Sequence, residues 1–301
     1  MMEKIENKIM ISIIIPTYNR GGIIDNTLDS IKTQSYKEWE CIIVDDHSSD
    51  DTRDVVGMYV KQDRRFKYLI NERKKGAQGA RNTGLYHTSA EWVFFFDSDN
   101  QLQPNCLSEL VLGIRDNVDV VQCYSRVLNV DTGEVVKYFK WSNYGNIEKD
   151  LFTGEAYVDF NHAIIRRSKV IEIGGLDEDC PCMQEWDTHL RLSKTARYNT
   201  VEKVLVDYYV GAKDAISSDN KKAITGRLYN LNKFLPDWRK HKIGLYRFAY
   251  IYYKLISNNK DPQFKEVSLQ KLKELIPNLK AVIPIGYIIN KWFALKSLLN
   301  K

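Results

Sequence analysis

Strand-like apolar runs and helical stripes alternate along the first 125 residues. Residues 10–15 form a nearly unbroken, mostly β-branched run, which predicts a strand buried on both faces. Residues 22–34 place Ile23, Ile24, Leu28 and Ile31 at helical spacing. Residues 41–44 predict a second strand, 51–60 a helix and 66–70 a short third strand. A helix over 80–87 follows the loop that holds Gly76 and Gly79. Residues 92–96 read as a fourth buried strand, Pro104 opens a further helix, and 118–123 a fifth strand. Units alternating in this way imply a parallel sheet with helices on both faces.

Beyond Tyr124 the order changes. Residues 126–140 predict a hairpin turning at Asp131-Thr132-Gly133, and 156–165 a strand. Gly174-Gly175 breaks the chain, 184–196 predicts a helix, and 201–209 a late strand. Everything after Asp219 reads as helical. The organisation expected is a domain over 1–218, with halves at about 1–125 and 126–218, and a helical extension over 219–301.

Charge sharpens that division. Residues 221–301 hold 17 Lys and Arg against 4 Asp and Glu, whereas 1–220 hold 27 against 35. The acidic part suits a cation and the basic part an anionic surface. The tail is also aromatic, with Tyr246, Phe248, Tyr250, Tyr252 and Tyr253 near Arg247 and Lys254, and Trp292 and Phe293 between Lys291 and Lys296. Two readings fit: a helix lying on an anionic membrane face, or a helical subdomain packed on the core with a solvated basic face. No nucleic-acid module accompanies the charge, so no nucleic-acid partner is expected. The most apolar late stretch, 281–290, is ten residues long and holds Pro284 and Gly286, too short to span a bilayer. Glu3, Lys4, Glu6 and Lys8 precede the first apolar run, which ends in Pro-Thr-Tyr-Asn and not in a small-residue cleavage site. The chain is therefore read as cytoplasmic, with its five cysteines as reduced thiols.

Ligands of open α/β sheets bind beyond the carboxyl ends of the strands. Strand one ends in Pro16-Thr17-Tyr18-Asn19-Arg20, strand two in Asp45-Asp46-His47-Ser48-Ser49-Asp50 and strand four in Asp97-Ser98-Asp99-Asn100. Carboxylates after the buried run Phe94-Phe95-Phe96 are costly unless something pairs with them, and a divalent cation would do so. The other reading is an Asp-rich turn that caps the next helix. Gly76-Ala77-Gln78-Gly79-Ala80-Arg81-Asn82 has the make-up of an anion cradle before a helix, with Lys74, Lys75 and Arg81 adding positive charge. Its spacing is not that of the common phosphate-loop fingerprints.

Together these segments resemble glycosyltransferase family 2. The resemblance rests on Ser12-Ile13-Ile14-Ile15-Pro16-Thr17-Tyr18-Asn19, Ile43-Val44-Asp45-Asp46-His47-Ser48-Ser49-Asp50 and Gly79-Ala80-Arg81-Asn82-Thr83-Gly84-Leu85. It continues through Phe96-Asp97-Ser98-Asp99, Gly174-Gly175-Leu176-Asp177-Glu178, Glu185-Trp186-Asp187 and Leu190-Arg191-Leu192, and covers about 10–218. It implies a GT-A fold: a Rossmann-like, mostly parallel sheet flanked by helices. It also implies inverting transfer of a sugar from a nucleotide-diphosphate sugar, often a UDP-sugar. Pro16, Thr17, Tyr18, Asn19 and Asp46 match positions around the base and ribose, and Arg81 matches the loop near the phosphates. Asp97 and Asp99 match the Asp-x-Asp motif, with Asp99 the foremost ligand of a diphosphate-bridging Mn²⁺ or Mg²⁺. Glu185 stands where the family usually has an Asp base, and Asp187 is the alternative.

A second departure concerns the metal. Many members carry a His after the late Tyr-rich strand, and here Gly211 stands at about that place, with Asp214 nearby. His47, His162 and His189 lie elsewhere and read as loop or helix histidines. The expected acceptor is a glycan or a lipid-linked oligosaccharide in surface polysaccharide synthesis, reached from the inner membrane face. The two departures also fit a nucleotide-sugar-binding module whose catalysis has decayed. A sugar nucleotidyltransferase would need a Gly-rich loop directly after strand one, and Pro16-Thr17-Tyr18-Asn19 is not one.

Overall fold

Strand β1 (Ile11–Thr17) pairs in parallel with β2 (Trp39–Asp45) on one side and β4 (Trp92–Phe95) on the other, and β2 pairs in parallel with β3 (Phe66–Ile70). Alternate residues of β1 face opposite ways. Ile11, Ile13 and Ile15 share a core with Ile24 and Leu28 of α1 (Ile24–Lys32), Val56 of α2 (Thr52–Gln62) and Leu107 of α4 (Cys106–Leu112). Ile14 faces α3 (Ala77–His87) instead: a Cβ built on Gly84 would lie 2.4 Å from the Ile14 side chain. Helices therefore cover both faces, as the alternating pattern requires.

The computed structural model describes residues 9–211 and 220–299. Past β4 the sheet changes sense. Strand β8 (Ala163–Arg166) runs antiparallel to β4, and β6 (Val120–Asn129) antiparallel to β8. Strand β9 (Tyr198–Val210) is parallel to β6, and the two-residue β5 (Gln101–Leu102) is antiparallel to β9. The order is β3-β2-β1-β4-β8-β6-β9-β5, with β7 (Val135–Phe139) added to β6. The sheet is thus parallel where the nucleotide motifs lie and mixed beyond. The hairpin forms as read, with Gly133 at φ +71° in its turn. Residues 156–165 are not one strand. Asp159 accepts the Asn161 backbone N–H and starts a 3-10 turn over Phe160–His162, and only then does β8 begin. Helix α6 (Arg167–Glu172) follows.

The described residues fall into two compact units, 9–147, 158–178 and 191–211 in one and 148–157, 179–190 and 220–299 in the other. Against the expected boundary at 218/219, this grouping puts two inner segments with the tail. The second unit holds α5 (Glu148–Thr153), most of α7 (Gln184–Leu192), α8 (Asn220–Lys233), α9 (Leu235–Lys240), α10 (Lys242–Ser257), α11 (Pro262–Leu275) and α12 (Leu279–Leu299). Aromatic packing explains the grouping. Trp238 meets Phe152 at 4.9 Å, Phe248 at 5.0 Å and Trp186 at 6.0 Å between ring centroids. Gly244 lets α10 approach α5 so closely that a Cβ there would sit 1.9 Å from the Phe152 carbonyl oxygen. Phe152 and Trp186 thus find their partners among the tail helices. Among the described residues no helix is long and apolar enough to cross a membrane.

Candidate active site

The carboxyl ends of β2, β1 and β4 lie side by side, because these strands are neighbours and parallel. The loops after β1 and β2 are stitched together. Asn19, at φ +52°, donates its N–H to Ser48 Oγ (2.9 Å) and accepts the Ser49 N–H on Oδ1 (2.9 Å). The Arg20 and Gly21 N–H groups go to Thr52 Oγ1 (2.8 Å) and Asp50 Oδ2 (3.0 Å). Thr17 is buried and its Oγ1 has no hydrogen bond among the described residues. Tyr18 remains 47% exposed, with Lys75 Nζ 5.1 Å from its ring centroid. An aromatic side chain left open beside a lysine is a surface on which a planar ring can stack.

Asp45 and Asp46 divide the work at the end of β2. Asp45 is buried and accepts Tyr68 Oη–H (2.5 Å) and the Ser48 N–H (2.7 Å). Burial and this bond hold the Tyr68 hydroxyl well above the ordinary phenol range. Asp46 accepts Asn71 Nδ2 (2.7 Å) and the Gly76 N–H (2.8 Å) at the start of α3. A carboxylate on a helix N-terminus is favourable. It also fixes where α3 begins: at Ala77, three residues before the position read from the pattern. Gly76 takes φ +124°, and a Cβ on Gly79 would fall 1.9 Å from the Lys74 carbonyl oxygen. These glycines serve the turn and a close backbone approach.

Arg81 points from α3 towards the end of β4. It is buried, gives Nη2 to Asp97 Oδ1 at 2.6 Å and Nη1 to Gln78 Oε1 at 2.7 Å, and lies 5.1 Å over the Phe160 ring. Its Nε makes no hydrogen bond among the described residues. Asp97 is held on its other side by Asn161. The Asp97 N–H donates to Asn161 Oδ1 (2.8 Å), and Asn161 Nδ2 donates to Asp97 Oδ2 (2.8 Å). Asn161 itself is buried and tied to Asp159 Oδ1 (3.0 Å) and to Asn100 Nδ2 (3.1 Å). Asn100 in turn accepts the Tyr209 N–H on Oδ1 (3.1 Å), and its backbone carbonyl accepts the Thr27 Oγ1–H (2.8 Å). Asn100 and Asn161 were not read as site residues from the sequence. Asn100 directly follows the Asp-x-Asp motif and was open to discovery there, whereas Asn161 lies 64 residues from Asp97 with no local signal.

Asp99 differs from Asp97. It is open to solvent, yet it stands in a crowded cleft beside a second carboxylate. Desolvation first and the Asp97 charge second raise its pKa to about 6, against the opposing pull of Arg20. Hard divalent cations take oxygen ligands and keep positions for phosphate and water. Two carboxylates of this kind, with their repulsion only partly offset, fit Mn²⁺ or Mg²⁺. No cluster of three or more His, Cys, Asp or Glu side chains with metal-site geometry occurs among the described residues. Gly211 follows β9 at φ +105°, and Asp214 lies outside the described residues. His162 is buried, and burial pushes its pKa down.

The Gly174-Gly175 segment returns to α3. Both glycines have positive φ, and a Cβ on Gly175 would lie 2.8 Å from Asn82 Oδ1. Asn82 donates to the Leu176 carbonyl (2.9 Å) and accepts the Leu176 N–H (2.8 Å). Glu178 accepts Arg73 Nε (2.5 Å) and Asn82 Nδ2 (2.7 Å). Arg191 Nη1 caps the Ile173 and Gly175 carbonyls at 2.9 and 2.7 Å. The motifs at 79–85, 174–178 and 190–192 are therefore one structural clasp.

In the second unit, Glu185 stands half-buried in the first turn of α7. Trp186 packs on Phe248 at 4.8 Å. Asp187 is fully buried, and its Oδ1 takes Lys233 Nζ at 2.5 Å. Asp187, expected as the alternative base, thus stands buried and ion-paired, and the pair ties α7 to α8.

The model of the family described as glycosyl transferase family 2 matches residues 12–174. The GalNAc(5)-diNAcBac-PP-undecaprenol beta-1,3-glucosyltransferase of Campylobacter jejuni is 32% identical over 174 residues, 54% of this chain and 55% of that protein. The UDP-Glc:alpha-D-GlcNAc-diphosphoundecaprenol beta-1,3-glucosyltransferase WfgD of Escherichia coli is 36% identical over 121 residues, 40% and 47% of the two chains. The chain thus spans about half the length of the curated relatives it matches. Among solved structures, S. aureus TarS 1-349 in complex with UDP-GlcNAc superposes with a TM-score of 0.71 over 96% of this chain and 92% of that one, at 15% identity. At that identity the likeness is one of fold, the GT-A arrangement that the motifs imply. With more than half of its residues under the family model, and with those motifs at neighbouring strand ends, the chain belongs to glycosyl transferase family 2.

Proposed function

We propose that this chain is an inverting glycosyltransferase. It moves a sugar from a nucleotide-diphosphate sugar, a UDP-sugar by preference, to a hydroxyl of a glycan or lipid-linked oligosaccharide in surface polysaccharide synthesis. The observation that carries the reading is the Asp97 cluster: one acid clamped by Arg81 and Asn161 beside a second, open acid at the end of β4. The names of the Campylobacter and Escherichia relatives specify undecaprenol diphosphate acceptors, which supports a lipid-linked acceptor and a place at the inner membrane face.

In this reading Tyr18 offers its open ring to the base, while Pro16, Thr17, Asn19 and Asp46 shape the nucleoside pocket. Asp99 and Asp97 are the residues that would hold Mn²⁺ or Mg²⁺. When bound, the ion supplies positive charge to the diphosphate as it leaves. Arg81 fixes Asp97 and adds charge near the same place. The acceptor oxygen attacks the anomeric carbon from the face opposite the nucleotide, the carbon–oxygen bond to the diphosphate breaks with its electron pair, and the acceptor proton passes to the Glu185 carboxylate. Attack from the opposite face inverts the anomeric centre. The test is Glu185→Gln with a donor and a soluble acceptor. Nucleotide binding should stay within about twofold of wild type while turnover falls by about 10²–10⁴, the usual share of a positioned base. Turnover equal to wild type would remove Glu185 from the mechanism. The absence of turnover in wild type with every nucleotide sugar, with binding intact, would favour a decayed module.

A further inference from the structure

Helix α12 presents two apolar faces. One is used inside its own unit: Val282 and Phe293 are buried, and a Cβ on Gly286 would fall 2.1 Å from the Tyr246 carbonyl oxygen, so the helix lies backbone-close on α10. Arg247 lies 4.2 Å over the Phe293 ring and donates to the Thr153 carbonyl at 2.7 Å, which locks this packing. The second face is centred about 120° round the helix at 100° per residue. It consists of Ile285, Ile288, Trp292 and Leu295, exposed by 46%, 67%, 55% and 60%. Their spacing of three, four and three residues aligns them in one stripe. On a helix that faces only water this stripe would be polar.

We propose that this stripe docks on an anionic lipid surface, with α12 lying in the plane of the headgroups. Charge decides the occupant. Helix α12 contains no Asp or Glu, and on the helical projection Lys280 and Lys291 flank the stripe on one side and Lys296 on the other. Lys296 Nζ lies 5.4 Å from the Trp292 ring centroid and pairs with Glu155, so among the described residues the free rim charge on this helix is carried by Lys280 and Lys291. Apolar aliphatics, one tryptophan and flanking lysines are the make-up of an interfacial helix, with lysine heads reaching the phosphates. Lys280, Lys291 and Lys296 interrupt the apolar run, and among the described residues no helix is long and apolar enough to cross a membrane. A second copy of the chain is the competing occupant. A stable protein interface takes about 20–30 residues a side, far more than this stripe supplies, and two such stripes would bring lysines against lysines.

The inference rests on the membrane placement proposed above and sharpens it to named residues. The test is sedimentation with phosphatidylglycerol–phosphatidylcholine vesicles and with pure phosphatidylcholine vesicles, with UDP binding measured in parallel. Wild type should partition onto the anionic vesicles at least about tenfold more strongly than onto neutral ones. Ile288→Glu/Leu295→Glu should lose that binding by about tenfold or more while keeping UDP affinity, which separates this idea from the enzymatic reading. Lys280→Gln/Lys291→Gln, which leaves the apolar stripe intact, should lose only the preference for anionic lipid. Unchanged binding by the Glu variant, or no binding by wild type, would overturn the proposal. So would a wild-type dimer that the Glu variant turns into monomer.

Discussion

Replacing Asn161 by alanine tests whether the acid cluster is built as described. The side chain makes two bonds to Asp97, one from the Asp97 N–H and one to its carboxylate, both 2.8 Å, accepts a third from Asn100 and donates a fourth to Asp159. It is only 3% exposed, so water does not readily replace it. A hydrogen bond to a charged group contributes about 1.5–3 kcal/mol. Arg81 still holds Oδ1, so Asp97 keeps one anchor but is free to turn. If the lost orientation falls wholly on ligand binding, 1.5–3 kcal/mol becomes a loss of about 10–150-fold in affinity for UDP with Mn²⁺. Calorimetry well below the melting temperature of the variant reads this directly, and a thermal scan reports the cost to the fold. Affinity within twofold of wild type from a folded variant would refute the idea that Asn161 sets Asp97 for its ligand.

Lys233→Met should destabilise the chain by about 3 kcal/mol, because it removes the 2.5 Å ion-pair partner of the buried Asp187, and urea unfolding would show it. Gly175→Ala places a Cβ at φ +79° against Asn82 Oδ1 and should lower stability by about 1–2 kcal/mol, seen as a lower midpoint with the same slope. Glu178 gives a pH signature. Burial alone would raise its pKa, but bonds from Arg73 and Asn82 outweigh it and hold the carboxyl below the usual range. A depressed folded pKa adds stability above the unfolded value of about 4.3, and that stability is lost as pH falls through the folded pKa. The advantage of wild type over Glu178→Gln should therefore be present at pH 7 and shrink steadily in acid; an advantage independent of pH would contradict the clasp.

Much of the first unit was legible because its strands are buried on both faces and read as continuous β-branched or aromatic runs. Three strand-end motifs then fell where a parallel sheet gathers them. The parts that escaped were set by distant contacts. Strand β5 is two residues long and carries no period, and it exists because β9 pairs with it. Residues 156–165 hold enough apolar side chains to pass for a strand, until Asp159 caps a turn in their midst. Helix α3 starts early because Asp46, thirty residues back, takes its first free amide. The division at 218/219 followed charge, whereas Trp186 and Phe152 follow the aromatic residues of the tail. At Asp187 the sequence shows a carboxylate but not the Lys233 that lies 2.5 Å from it.

The most direct measurement is calorimetric binding of UDP to the full chain, with and without Mn²⁺, for wild type and Asp99→Asn. The account predicts binding by wild type with Mn²⁺, and affinity at least about tenfold lower both without the ion and in the Asp99→Asn variant. No binding of UDP or GDP by wild type under any of these conditions would contradict a nucleotide-sugar site at the ends of β1, β2 and β4.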